Sequence, residues 1–110
     1  MIEDTIAKIE ARLQADEALP AGKREELLAL LGTLKTEVAT LARTHGEQAE
    51  SIAGFAEAST REATRGTPNR GLLTHALGGL TASVEEFEGS HPQLVQIVNS
   101  ISHTLSNLGI

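Results

Sequence analysis

The sequence predicts an all-α fold: an antiparallel bundle of about four helices, the second one long and carrying a heptad seam. Apolar or small residues recur at alternating four- and three-residue steps along Leu27, Leu31, Leu34, Val38, Leu41, His45, Gln48, Ile52, Phe55, Ser59 and Glu62. Such a row forms one stripe on a helix, and the stripe needs another helix to cover it. Shorter stripes of the same period flank it, separated by segments that carry Pro or Gly. The core-forming residues are aliphatic: there is no Trp and no Tyr, and Phe55 and Phe87 are the two phenylalanines. Leu, Ile, Val and Ala suit the core of a helix bundle.

Helix one covers about residues 2–18 of a first segment spanning 1–19, with Ile2, Ile6, Ile9 and Leu13 on one stripe. Glu3, Lys8, Glu10 and Arg12 fall off that stripe. Leu19-Pro20-Ala21-Gly22 ends it, because Pro20 donates no backbone hydrogen bond and biases Leu19 away from helical geometry. Helix two spans 21–65, with Glu25 and Glu26 in its first turns, where carboxylates suit the positive end of the helix dipole. A continuous helix there spans on the order of 60 Å at ~1.5 Å per residue. Its seam is strongest from Leu27 to Leu41 and turns polar from Arg43 to Gln48. Gly46 costs roughly 1 kcal/mol in a helix interior and marks a place for a kink. Ile52 and Phe55 resume the same register, which favours one helix over two.

Residues 56–71 hold the next break, with Gly66 closing one helix and Thr67-Pro68 opening the next as N-cap and first residue. Helix three covers 68–88 through Leu73, Leu77, Leu80, Val84 and Phe87. The Gly78-Gly79 pair inside it is unfavourable in a helix, so it marks a kink or a close approach by a neighbour. Helix four covers 91–108 through Leu94, Val98, Ile101, Leu105 and Leu108. Ser90 with Gln93 has capping-box spacing, and Gly109 suits a C-terminal cap. The short turn between helices three and four makes them antiparallel neighbours. The 110 residues fit one helical domain, 1–110.

Charge and composition exclude several functions. The net charge is −6, from 15 acidic and 9 basic residues, opposite to the balance of a duplex-binding domain. No Lys or Arg follows Arg70, and residues 71–110 carry only Glu85, Glu86 and Glu88 as full charges. The absence of cysteine removes disulfides, thiolate zinc sites and cysteine nucleophiles. Met1-Ile2-Glu3-Asp4 is an acidic start, unlike a secretory signal, and no apolar run is long enough to span a membrane, so the expected location is cytoplasmic.

No motif points to chemistry. His45, His75, His91 and His103 lack the spacing of a metal-binding pair, although His75 and His103 can approach across helices three and four. There is no nucleophile elbow, and Gly78-Gly79 lacks the Lys-Ser/Thr of a phosphate loop. Glu85 and Glu88 share a helix face that suits a cation or, more simply, solvent. Arg61, Arg65 and Arg70 concentrate positive charge, and pairing of Arg61 with Glu57 is the simpler account of it than phosphate binding. The expectation is no catalytic residue, no metal site and no cofactor.

The stretch Glu86-Phe87-Glu88, Ser90-His91-Pro92, Leu94-Val95, Ile97-Val98-Asn99, Ile101 and Leu105-Ser106-Asn107-Leu108-Gly109-Ile110 carries a family likeness. It resembles short bacterial proteins grouped as domain of unknown function four-four-zero-four, which end in a similar Phe-Glu, His-Pro and Gly-Ile pattern. Residues 2–41 are similar to that family's opening helix pair in a generic way. The chain is longer through 43–66 than the family pattern. The resemblance implies a bacterial, cytoplasmic helical protein and brings no activity and no site residues.

These readings converge on a non-enzymatic structural or interaction protein that self-associates, with a homodimer favoured. Its expected interaction seam is Leu27, Leu31, Leu34, Val38, Leu41, Ile52 and Phe55, because a long second helix leaves Ile52 and Phe55 bare. Polar His45 and Gln48 in seam positions can fix register. The alternative is a small adaptor that binds another protein through the low-charge C-terminal helix pair. Nucleic acid and membranes are not expected partners.

Overall fold

The computed structural model describes residues 2–108, and every regular element within them is helical. The elements are α1 (Ile2–Ala15), α2 (Ala21–Ala42), α3 (Gly46–Ala63), α4 (Arg70–Val84), a 3-10 turn (Glu85–Phe87) and α5 (Pro92–Leu108). Five α-helices therefore stand where the spacing predicts four, because residues 21–65 form two helices and not one long one.

The break has a local cause. Arg43 N–H donates to Thr40 O (3.3 Å), and Thr44 and His45 N–H both donate to Leu41 O (3.1 and 2.8 Å), so the last turn of α2 tightens. His45 then leaves helical geometry at φ −135°, ψ 62°. Gly46 becomes the first residue of α3, where it avoids the interior cost that a continuous helix would impose. A single helix over 21–65 would measure on the order of 60 Å, whereas the longest dimension of the molecule is 38 Å.

Other boundaries shift for similar reasons. α1 stops at Ala15 because the Asp16 side chain accepts the Ala18 N–H (3.0 Å) and Leu19 N–H turns back to Asp16 O (3.3 Å). Arg24 locks this turn by donating to Leu13 O, Asp16 O and Leu19 O at 3.2, 2.6 and 3.2 Å. α3 ends at Thr64, whose N–H reaches Thr60 O (3.0 Å), and no described glycine has positive φ, so Gly66 is not its cap. α4 starts after Asn69, which accepts the Leu72 N–H (3.1 Å), leaving Thr67 and Pro68 outside the helix. The expected capping box of α5 does not form: Ser90 Oγ instead meets His91 Nδ1 at 2.9 Å. Pro92 opens α5, where its missing N–H costs nothing. The cap expected at Gly109 lies outside the described residues.

α2 lies against α1, α3 and α5, and α3 touches α1, α2, α4 and α5. Glu26 near the start of α2 accepts from Thr104 near the end of α5 (3.3 Å). His45, just past the end of α2, meets His91 at the start of α5. Those two contacts set α2 and α5 in opposite senses. Lys35 on α2 reaches Glu10 on α1 (3.7 Å), and Arg12 Nε on α1 donates to Thr64 Oγ1 past α3 (2.9 Å). One buried cluster draws on all five helices, on Leu19 in the first turn and on Phe87. The radius of gyration is 12.9 Å, close to the ~13 Å of a compact chain of this length.

Leu34 is wholly buried, so Leu34→Ala should lower stability by about 2–5 kcal/mol. Leu34→Asp adds an unpaired buried charge and should leave the chain unfolded, given a total stability of about 5–15 kcal/mol. Thermal melts followed by far-UV circular dichroism check both; an unchanged melt for Leu34→Asp would refute the packing of α2.

Candidate functional site

The expected seam divides in the folded chain. Leu27, Leu31, Leu34, Val38, Leu41 and Ile52 are all buried by helices of the same chain. Ile52 therefore is not left bare, and the surplus length that exposed it disappears with the long helix. Phe55 alone of that row stays at the surface, 41% exposed. The reversal at His45 rotates α3 so that Ala49, Ile52, Ala53, Ala56, Ser59, Thr60 and Ala63 face inward and Phe55 faces out.

Phe55 lies over α4. A Cβ added at Gly79 would fall 2.6 Å from Phe55 Cδ1, so the ring occupies the space a side chain would need. The close approach suggested by Gly78-Gly79 is thus at Gly79, whereas a Cβ at Gly78 would meet nothing within 4 Å. Beside the ring runs a shallow groove of about 340 Å³ between α3 and α4, lined by Gln48, Ser51, Gly79, Ala82, Ser83 and Glu86. Leu72, the other exposed large apolar residue among those described, is 45% exposed and lies seven residues before Gly79, two turns along the same helix face. After Arg70, α4 carries no Lys, Arg, Asp or Glu. The result is a mostly apolar face on an acidic protein, with Glu86 as the charged residue of its groove.

The other singled-out residues go elsewhere. His45, Phe87 and His91 form a triangle of edge-on rings, with centroids 5.3, 5.6 and 6.5 Å apart. Each imidazole Nδ1 meets the hydroxyl of the preceding residue, Thr44 at 2.7 Å and Ser90 at 2.9 Å. These contacts fasten the α2–α3 link to the start of α5. His103 lies 3.4 Å from Asn107 Nδ2, a contact within α5. Glu85 and Glu88 line one groove with Thr81, Val84, Val95 and Asn99. Among the described residues, no three His, Asp or Glu side chains come together as metal ligands do. Arg65 pairs with Glu62 at 2.8 Å, while Arg61 turns toward α1 and makes no ion pair with Glu57. Sequence reasoning missed Arg24, whose three backbone contacts no spacing rule announces, and Leu72, which broke the stripe of its helix and so drew no attention.

Residues 2–110 match the family described as Domain of unknown function (DUF4404). The chain belongs to this family. The match runs through 43–66 as well, so the middle of the chain is a DUF4404 segment like its ends. No curated protein and no solved structure matches the chain. No described helix is long and apolar enough to cross a membrane.

Gly78→Ala should stabilise the DUF4404 fold by about 0.5–1 kcal/mol through helix propensity alone. Gly79→Ala should gain less or lose stability, because the Phe55 ring must move. In a Phe55→Ala background the two substitutions should become alike, a coupling that chemical denaturation measures directly. Equal effects in the parent chain would show that the ring does not hold this position.

Proposed function

We propose that this chain is a non-enzymatic helical interaction protein, an antiparallel bundle that forms a homodimer through the outer face of α3 and α4. The observation that carries the reading is Phe55, exposed above Gly79 beside a shallow groove whose floor is Ser51, Gly79, Ala82 and Ser83, with Gln48 and Glu86 at its edges. A two-fold dimer brings one patch against its own copy, so the patch must complement itself. A protruding ring next to a shallow groove meets that condition. Charge opposes a second copy least at this face. Two chains of net charge −6 repel each other, and the repulsion is smallest where they meet through a surface of low charge, such as α4 after Arg70. Aromatic anchors that become packed and desolvated near the centre of an interface are where binding energy concentrates. The buried heptad row has a different part in this reading: it holds the helices that present the face. We infer a cytoplasmic site of action, as the family resemblance implies.

The adaptor reading uses the same surface from another direction, since α4 is half of the low-charge C-terminal pair. It takes over if the chain proves monomeric.

Molar mass by light scattering on a sizing column, with refractive-index detection, separates the two. Self-association predicts twice the 11.6 kDa of one chain at the higher loadings. Phe55→Glu and Leu72→Glu should each return the mass to that of a single chain while far-UV circular dichroism stays unchanged. A single-chain mass at every loading would overturn the dimer. A dimer indifferent to both substitutions would overturn the face.

A further inference from the structure

The nine basic residues of this acidic chain are unequally engaged. Lys23 pairs with Glu26 (3.6 Å), Lys35 with Glu10 (3.7 Å) and Arg65 with Glu62 (2.8 Å). Arg24 is committed to three backbone carbonyls. Among the described residues, Lys8, Arg12, Arg43, Arg61 and Arg70 have no carboxylate within ion-pair distance, although Lys8 feels Asp4 one turn back. Three of these, Lys8, Arg12 and Arg61, converge on one groove between α1 and α3.

The groove has a volume of about 200 Å³, walled by Lys8, Ile9 and Arg12 on one side and Glu57, Thr60 and Arg61 on the other. Lys8 and Arg12 are four residues apart, as are Glu57 and Arg61, so each pair stacks on one helix face. Ile9 and Thr60 are buried and form the floor, and the Thr60 hydroxyl is taken by Ala56 O at 2.9 Å. Arg12 is oriented by its Nε donating to Thr64 Oγ1 at 2.9 Å, which leaves both terminal amino groups of the guanidinium for a ligand. That planar fork matches the geometry of an oxyanion. Cations outnumber carboxylates three to one along the walls.

We propose that this groove binds the phosphate groups of a small anionic ligand, through Lys8, Arg12 and Arg61. The volume is below the ~300 Å³ at which sites for whole drug-sized ligands begin. It suits one or two phosphate groups, with the remainder of the ligand in solvent. The source is either a free condensed phosphate or the phosphate chain of a nucleotide. Glu57 sets a limit on tightness, since it faces the same space and repels an anion.

Isothermal titration calorimetry on the full chain tests this with tripolyphosphate, ATP and citrate, each against sodium chloride at equal ionic strength. Tripolyphosphate and ATP should bind saturably with one site per chain, and citrate more weakly. Arg61→Gln and Lys8→Gln should each weaken tripolyphosphate by about tenfold. Glu57→Gln should tighten it, and Arg43→Gln, outside the groove, should leave it unchanged. Scanning calorimetry without ligand confirms that the variants fold, and Arg61→Gln, fully on the surface, is the one least able to disturb the fold. Equal affinity for tripolyphosphate and ATP identifies the phosphate chain alone as the recognised group; tighter ATP binding identifies a nucleotide, and both support the site. Absence of saturable heat, citrate binding as tightly as tripolyphosphate, or Arg43→Gln weakening binding as much as Arg61→Gln would each overturn it.

Discussion

The structure depends on the chain reversal at Arg43–His45. Without it, the apolar row of α2 would lie along a helix too long for its neighbours, and a second chain would have to cover it. With it, α3 folds back beside α2, and the row from Leu27 to Leu41 is sealed within one molecule. The reversal is held at both levels of structure. Locally, three backbone N–H groups converge on Thr40 O and Leu41 O. At longer range, the His45 ring packs edge-on against Phe87 and His91, which fixes the link to the start of α5. A loop tied at one end to a core aromatic is less free to swing than its polar sequence suggests.

Placing α3 between α1 and α4 has a further consequence through side-chain size. Its inward residues are mostly Ala, Ser and Thr, with Ile52 as the one large exception. Small residues let helix axes approach closely, so α3 touches every other α-helix in the molecule. Phe55 stands outside that inward set and lies over α4. In that position the ring fills the space a Cβ at residue 79 would need. The exposed aromatic thus follows from the register of α3, whose inward face is otherwise made of small residues and Ile52.

Helix type and core membership were legible in the sequence because three- and four-residue spacing registers burial directly. Ile6, Ile9, Leu13, the α2 row, Leu73, Leu80, Val84, Leu94, Val98, Ile101 and Leu105 are all buried as their stripes require. The number of helices was not legible. Ile52 keeps the heptad count of Leu41 across the polar segment, and a count along the chain cannot distinguish a continued helix from one that reverses after whole turns. The caps were misread where side chains of competing chemistry stood close together. Asn69 took the role expected of Thr67, and the Ser90 hydroxyl went to an imidazole instead of a backbone N–H. At the site, the sequence marked Phe55 and Gly79 separately, but only the fold brings them together.

Charge placement follows from the same arrangement. Around α3, at ~100° per residue, Glu57 and Arg61 lie roughly 200–240° from Phe55, on the side turned toward α1. The basic groove and the apolar face therefore occupy opposite flanks of one helix. An anion bound between α1 and α3 would not touch a second copy seated on α3 and α4, so neither of the two proposed events would obstruct the other. Coupling between them would have to pass through the position of α3 itself. That helix is confined by four neighbours and carries a core of small, close-packed residues, which have few alternative arrangements. A rigid α3 favours two independent surfaces, with the cations of the first flank kept away from the mostly apolar face of the second.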